Sequence, residues 1–234
     1  MVVLKPSLVL PLLLLTHAQA IPQHQHIMDS SATDPANKVR DELKEAEIIP
    51  TVVDDFTPSL LLSVSWPDTD QKAKLGNTLK PEDLKDTPSI SLKPIASSDQ
   101  LNISSETSIV VVATDPDAPS RDDPKWSEFC HWIAVTRSST PDAMVLSLDG
   151  DKLRDVISYK PPGPPEKTGK HRYVFLALVP ANGTTEELHL AKPGERKHWG
   201  FGEAVNGVRK WAGENGLIVV GKVFFFFFFF VTDP

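Results

Sequence analysis

Beyond Pro50 the chain alternates short apolar runs with stretches rich in proline, aspartate and glycine. The runs are Ser59–Trp66, Ser89–Leu92, Ser108–Thr114, His131–Thr136, Tyr173–Val179 and Leu217–Val220. Their β-branched and aromatic content, and the turn formers that bound them, predict strands of an antiparallel sheet protein. Before Pro50 the period is helical. Asp34 stands as a cap with Pro35 at the first position, and Val39, Leu43, Ala46 and Ile49 share one face at steps of four and three. A second helix is predicted within 202–215, where Ala204, Val208 and Trp211 keep helical spacing and Gly216 supplies a stop. The pattern predicts a mainly β domain with a helix at each end, and no internal repeat.

Phe224–Phe230 is a run of seven phenylalanines. In a strand, alternate side chains face opposite ways, so both faces would be large and aromatic. Buried, the run would be a core strand; exposed, it would be an aggregation hazard. These two readings and a third, a misread final exon, stay open, and 224–234 is treated as an atypical poly-Phe tail.

The beginning of the chain reads as a signal peptide over 1–20. Lys5 precedes an apolar run from Leu8 to Leu15, and Ala18-Gln19-Ala20 ends the segment. That run is far short of the roughly 20 residues that cross a bilayer. Residues 21–33, with His24 and His26, read as a flexible leader, and 34–223 as one domain with a real core. Secretion is therefore expected, either to the cell exterior or to a vacuole.

The chain has 234 residues and a net charge of −7. Without Lys5 it becomes −8, with 23 Lys and Arg against 31 Asp and Glu. Such a chain has no general attraction to nucleic acid or to anionic lipid, so any anion must be held by a local cluster. The single cysteine, Cys130, excludes an intramolecular disulfide. Asn102-Ile-Ser and Asn182-Gly-Thr fit the N-glycosylation pattern.

Two stiff loops carry the chemistry. Thr114–Trp132 leaves one apolar run and enters the next, and holds Asp115, Asp117 and His131. Tyr159–Tyr173, rich in proline and glycine, delivers His171 and Tyr173. Imidazole N–H and phenol O–H donors suit an anion, and a nearby carboxylate fixes a histidine tautomer. The alternative is that acids and arginines of these loops pair with one another while the histidines pack.

Other chemistries fit less well. There is no Gly-x-Ser-x-Gly elbow. Gly163–Lys170 has the wrong spacing for a phosphate loop, and Gly200-Phe-Gly202 lacks the third glycine of a dinucleotide site. Asp115, His131 and His171 could in principle share zinc, but no paired spacing supports it, so no metal or cofactor is expected. Cys130 precedes His131 and should face the opposite side of its strand as an inert thiol.

The two loops resemble the signature of the phosphatidylethanolamine-binding protein family. Asp115-Pro-Asp-Ala-Pro-Ser-Arg121, His131, Gly163-Pro-Pro165 and Gly169-Lys-His-Arg172 carry the likeness. The resemblance extends roughly from Val39 to Val223. Asp54–Pro58, Gly76–Pro81 and Tyr159–Pro165 bring it near the fungal carboxypeptidase Y inhibitor-like branch. It implies a large antiparallel sheet packed against a smaller one, with peripheral helices at both ends and an anion pocket at one end. It also implies that Asp115, Pro119, Trp126, His131, Tyr159, Pro165, His171 and Tyr173 are pocket wall or ligand contacts. Phe129 and Cys130 depart from relatives that carry Trp and His there.

A secreted, non-catalytic protein binding phosphate or a phospholipid headgroup such as phosphatidylethanolamine is the expected function. Inhibition of a serine carboxypeptidase is the alternative. A hydrolase using the Asp/His pocket ranks last, because the sequence shows no nucleophile beside the histidines.

Overall fold

In the computed structural model, residues 34–95, 103, 106–136, 146–148, 152–204 and 207–227 are described. The expected signal peptide, the leader and Asn102 lie outside them. Among the described residues two α-helices and ten strands form.

Helix α1 spans Pro35–Glu45. The Asp34 side chain accepts the N–H of Ala36 at 3.1 Å, and Ala36, Val39 and Leu43 are its buried face. The helix ends at Glu45 with Ala46 as its cap, and the next residue, Glu47, has a φ of +56°. The carbonyls of Ala46 and Glu47 both accept from the Arg172 guanidinium, so a side chain far along the sequence receives the end of the helix.

The strands are β1 (Leu60–Trp66), β2 (Gln71–Ala73), β3 (Thr78–Leu79), β4 (Ser89–Pro94), β5 (Val110–Asp115), β6 (Phe129–Thr136), β7 (Leu146–Leu148), β8 (Leu153–Ile157), β9 (His171–Pro180) and β10 (Leu217–Phe227). They join in the order β7-β4-β1-β10-β9-β5-β6-β8, with β2 on β1 and β3 on β10. All ladders are antiparallel except β1·β10 and β3·β10, so the sheet is mixed. Helix α2, Gly207–Glu214, lies between β9 and β10.

Alternation sorts the side chains into two apolar layers. Trp66, Leu62, Trp132, Phe175 and Phe225 share one layer, so the β1/β4 side of the sheet packs on the β5/β6/β9 side. Val39, Leu43, Val112, Ile133, Leu176, Val208 and Trp211 share the other, where the two helices cover the sheet. Strands β5 and β9 are buried at every residue, which is why their sequences read as unbroken apolar runs. Gly221 is required where β10 meets β1, because a Cβ there would sit 2.8 Å from the Leu60 carbonyl oxygen.

The domain does not end at Val223. Strand β10 continues to Phe227, pairing Phe224–Phe227 with Val174, Tyr173, Arg172 and His171 of β9. Phe224 and Phe225 are buried in opposite layers, so for these residues the structure has the core strand and not the exposed run.

One charge on β10 is held without a hydrogen-bond partner. Lys222 is buried, with its ammonium 4.6 Å from the Phe56 ring centroid. Burial pushes its pKa down from 10.5 to about 7, against a smaller opposing pull from Asp55. The unfolded chain then binds more protons than the native one between about pH 7 and 10.5, so this group makes stability rise with pH across that window. Lys222→Met should therefore stabilise the protein most at pH 6–7, with the gain shrinking toward pH 10. Urea midpoints of both proteins at pH 6, 8 and 10 check this, and a pH-independent difference would contradict it. Glu128, pushed up to about 8 by burial, tilts both profiles oppositely between pH 4.5 and 8, and cancels in the comparison.

Candidate functional site

Strand β5 ends in Asp115, whose Oδ1 accepts the backbone N–H of Asp117 at 2.7 Å. This turn directs the Asp115 and Asp117 carboxylates to different partners. Asp115 Oδ2 accepts from His171 Nδ1 at 2.9 Å. Asp117 receives Arg172 three ways: the backbone N–H at 2.8 Å, Nε at 2.9 Å and Nη2 at 2.6 Å. Because His171 and Arg172 are neighbours on β9, one reaches the cavity and the other the α1 side. All four side chains are buried.

His171 is engaged at both ring nitrogens. Its Nε2 lies 3.0 Å from Thr168 Oγ1, and that hydroxyl also lies 2.7 Å from the Pro165 carbonyl oxygen. Thr168 is thus the nucleophile-type group beside a histidine that the sequence did not reveal. The Asp115 carboxylate accepts the Nδ1 proton, so a neutral His171 offers Thr168 an acceptor, and the one hydroxyl proton stands between Nε2 and the Pro165 carbonyl.

His131 follows a different rule. Its Nδ1 donates to the Lys160 carbonyl at 2.7 Å, while the Lys160 N–H donates to the His131 carbonyl at 2.8 Å. Arg196 secures this pairing by donating to the carbonyls of Cys130 and His131, each at 3.1 Å, and of Ser158 at 2.9 Å. Burial pushes the His131 pKa down to about 4, so the ring is neutral at pH 7. Tyr173 packs edge-on against His131 at 5.1 Å and stacks on Phe225 at 5.7 Å. Burial, and then the charge of Asp115, hold its hydroxyl well above the usual phenol range.

These groups line a cavity of about 160 Å³. Seven of the eight expected residues reach it: Asp115, Pro119, Trp126, His131, Pro165, His171 and Tyr173. Tyr159 does not. Its ring packs edge-on against Trp132 at 5.9 Å in the inner layer, and its hydroxyl donates to the Leu84 carbonyl at 3.0 Å. The next residue, Lys160, lines the cavity instead, as do Ala118, Phe129, Pro161, Gly163 and Pro164. Phe129 lies 5.0 Å from the His131 ring. The Lys197 ammonium covers the Trp126 ring at 4.3 Å. Cys130 is buried in the helix-side layer, where burial pushes its thiol up to about 12. Among the described residues no three acidic, histidine or cysteine side chains are grouped to hold a metal.

The sequence model described as phosphatidylethanolamine-binding protein matches residues 69–224. The chain belongs to the phosphatidylethanolamine-binding protein family. It is 31% identical over 214 residues to the carboxypeptidase Y inhibitor of Saccharomyces cerevisiae, covering 83% of this chain and 97% of that protein. It is 30% identical to CEN-like protein 1 of Nicotiana tabacum, covering 78% of this chain and 88% of that one. The crystal structure of carboxypeptidase Y inhibitor complexed with its cognate proteinase superposes with a TM-score of 0.73 at 30% identity, covering 85% and 98% of the two chains. The family's mainly β architecture is therefore the architecture of this chain. No helix among the described residues is long and apolar enough to cross a membrane.

Proposed function

We propose that this protein is a secreted, non-catalytic binding protein whose cavity takes a phosphate or a phospholipid headgroup such as that of phosphatidylethanolamine. The observation that carries the reading is the cavity itself, where proline walls hold His131, His171, Tyr173 and Lys160 around a volume suited to one small group. Cavity walls this stiff lose little freedom when a ligand enters.

Titration calorimetry with phosphoethanolamine tests it. Tyr173→Phe keeps the ring packing and removes one hydroxyl. It should weaken binding by roughly ten- to a hundredfold, corresponding to about 1.5–3 kcal/mol for a hydrogen bond to a charged group. No heat of binding in the wild type, or equal affinity in both proteins, would remove the reading.

A second reading, inhibition of a carboxypeptidase, is favoured by the likeness over 97% of the yeast inhibitor. Carboxypeptidase Y activity left unchanged by excess protein would dispose of it and leave the cavity reading intact.

Secretion is supported by the Lys5, Leu8–Leu15 and Ala18–Ala20 pattern. Asn182 sits exposed in the turn after β9, its Oδ1 accepting the N–H of Thr184 at 3.1 Å, where a glycan meets only solvent. Glycosidase treatment of secreted protein should shift its gel mobility through glycans at Asn102 and Asn182. Asn182→Gln should remove part of that shift.

A further inference from the structure

We infer that the chain has a second ligand site, a cavity between α2 and the start of β10 that takes a medium-chain aliphatic carboxylate, with its head paired to the Lys222 ammonium. The site is separate from the cavity at the mouths of β5 and β9, and the inference does not depend on what that cavity binds.

This second cavity measures about 420 Å³, against about 160 Å³ for the first. Its size lies in the range that holds small molecules, roughly 300–1,000 Å³. Val53, Phe56, Val208, Ala212, Leu217 and Val219 give it apolar walls. Ile218, which also lines it, is 43% exposed. Surface of this kind is best removed from water by an apolar body.

The charges around the cavity select the head. Asp54 and Asp55 line it too, but each already holds a cation: Arg209 Nε lies 3.2 Å from Asp54, and Asp55 receives Arg40 and, at 2.9 Å, Lys44. Lys222 has no such acceptor. Its neighbour Val223 belongs to the inner layer, so alternation turns Lys222 to the helix side with Phe224. There its ammonium stands 4.6 Å from the Phe56 ring centroid and feels the charge of Asp55, and both of those residues are walls of the cavity. Its ladder partners, Leu61 on β1 and Leu176 on β9, have apolar side chains.

The cations Arg40, Lys44, Arg209 and Lys222 thus outnumber the carboxylates Asp54 and Asp55, and the buried one is the one left without a hydrogen bond. A carboxylate supplies what is missing, and a charge-assisted bond away from water is a strong one. In the complex the half-buried Phe56 ring turns aside, and the carboxylate takes its place on the ammonium. An alcohol head would leave the charge unmatched, and an amine head would add to it.

Titration calorimetry with octanoate, 1-octanol and octylamine at pH 6.5 tests the site. Octanoate should bind at least tenfold more tightly than 1-octanol, the worth of one hydrogen bond to a charged group, and octylamine should not bind. Lys222→Met should lower octanoate affinity at least tenfold without weakening 1-octanol. Burial holds the Lys222 pKa at about 7 in the unliganded protein, and a bound carboxylate raises it. Octanoate binding at pH 8 should therefore take up a proton, read as a heat that changes with the ionisation enthalpy of the buffer. The comparison of heads and the proton uptake use the wild type alone, so they stand whether or not the variant folds. The Ile218 methyl signals should shift as octanoate is added.

No octanoate binding, equal affinity for octanoate and 1-octanol, or unchanged affinity in a folded Lys222→Met protein would each overturn the inference. So would octanoate binding that leaves the Ile218 methyl signals in place, since the ligand would then occupy another site. None of these outcomes bears on the phosphate reading of the first cavity.

Discussion

Asp117→Ala is expected to destabilise the protein by about 3–5 kcal/mol, the cost of leaving a buried charge without its partner. The Arg172 side chain is 6% exposed and Asp117 only 1%, so water cannot replace the lost carboxylate. The pair also does structural work at two places. Its guanidinium donates to the carbonyls of Ala46 and Glu47 just beyond α1, and its backbone N–H anchors the strand residue that follows His171. The variant should therefore lose cavity geometry along with stability. Urea denaturation measures the first, and phosphoethanolamine titration the second. Combining Asp117→Leu with Arg172→Met should recover only part of the loss, because the carbonyls of Ala46 and Glu47 would still lack a donor. A loss below about 1 kcal/mol for Asp117→Ala would show that this buried pair is not what ties the helix to the site.

How much of this was legible in the sequence depended on length and periodicity. Strands β5, β6 and β9 were readable because burial on both faces leaves long apolar runs. Strands β2, β3 and β7 have two or three residues each, too few to show a period. Strand β8 was hidden by its edge position. Arg154 and Asp155 interrupt its apolar pattern, although Asp155 accepts the Trp132 indole N–H at 2.8 Å. The cavity was readable because stiff proline loops deliver its residues at strand mouths. Tyr159 was misplaced by a single residue, the distance at which an extended chain reverses its face. Arg196, Thr168 and Lys160 act on or through backbone carbonyls, and contacts of that kind leave no pattern in side-chain spacing. The phenylalanine run could not be assigned because both layers it enters are built by distant strands.

Phe225→Ala should cost about 3–5 kcal/mol, whereas Phe226→Ala should cost about 1 kcal/mol. Identical neighbours in sequence thus differ in consequence because alternation sends them to different surroundings. Phe225 is fully buried in the inner layer, edge-on to Trp66 at 5.6 Å and stacked on Phe175 at 6.0 Å and on Tyr173 at 5.7 Å. Removing it leaves a ring-sized void among rigid aromatic groups that cannot collapse to fill it. Phe226 is half-buried on the other side, beneath the Lys170 ammonium at 3.6 Å, where solvent and a flexible side chain can take up the space. The difference reaches the site. Tyr173 loses the surface that holds it against His131, so Phe225→Ala should also weaken phosphoethanolamine binding, and Phe226→Ala should leave it nearly unchanged. Urea midpoints at constant slope give the stabilities. Similar losses at the two positions would mean that β10 does not hold the alternation that places Phe225 behind Tyr173.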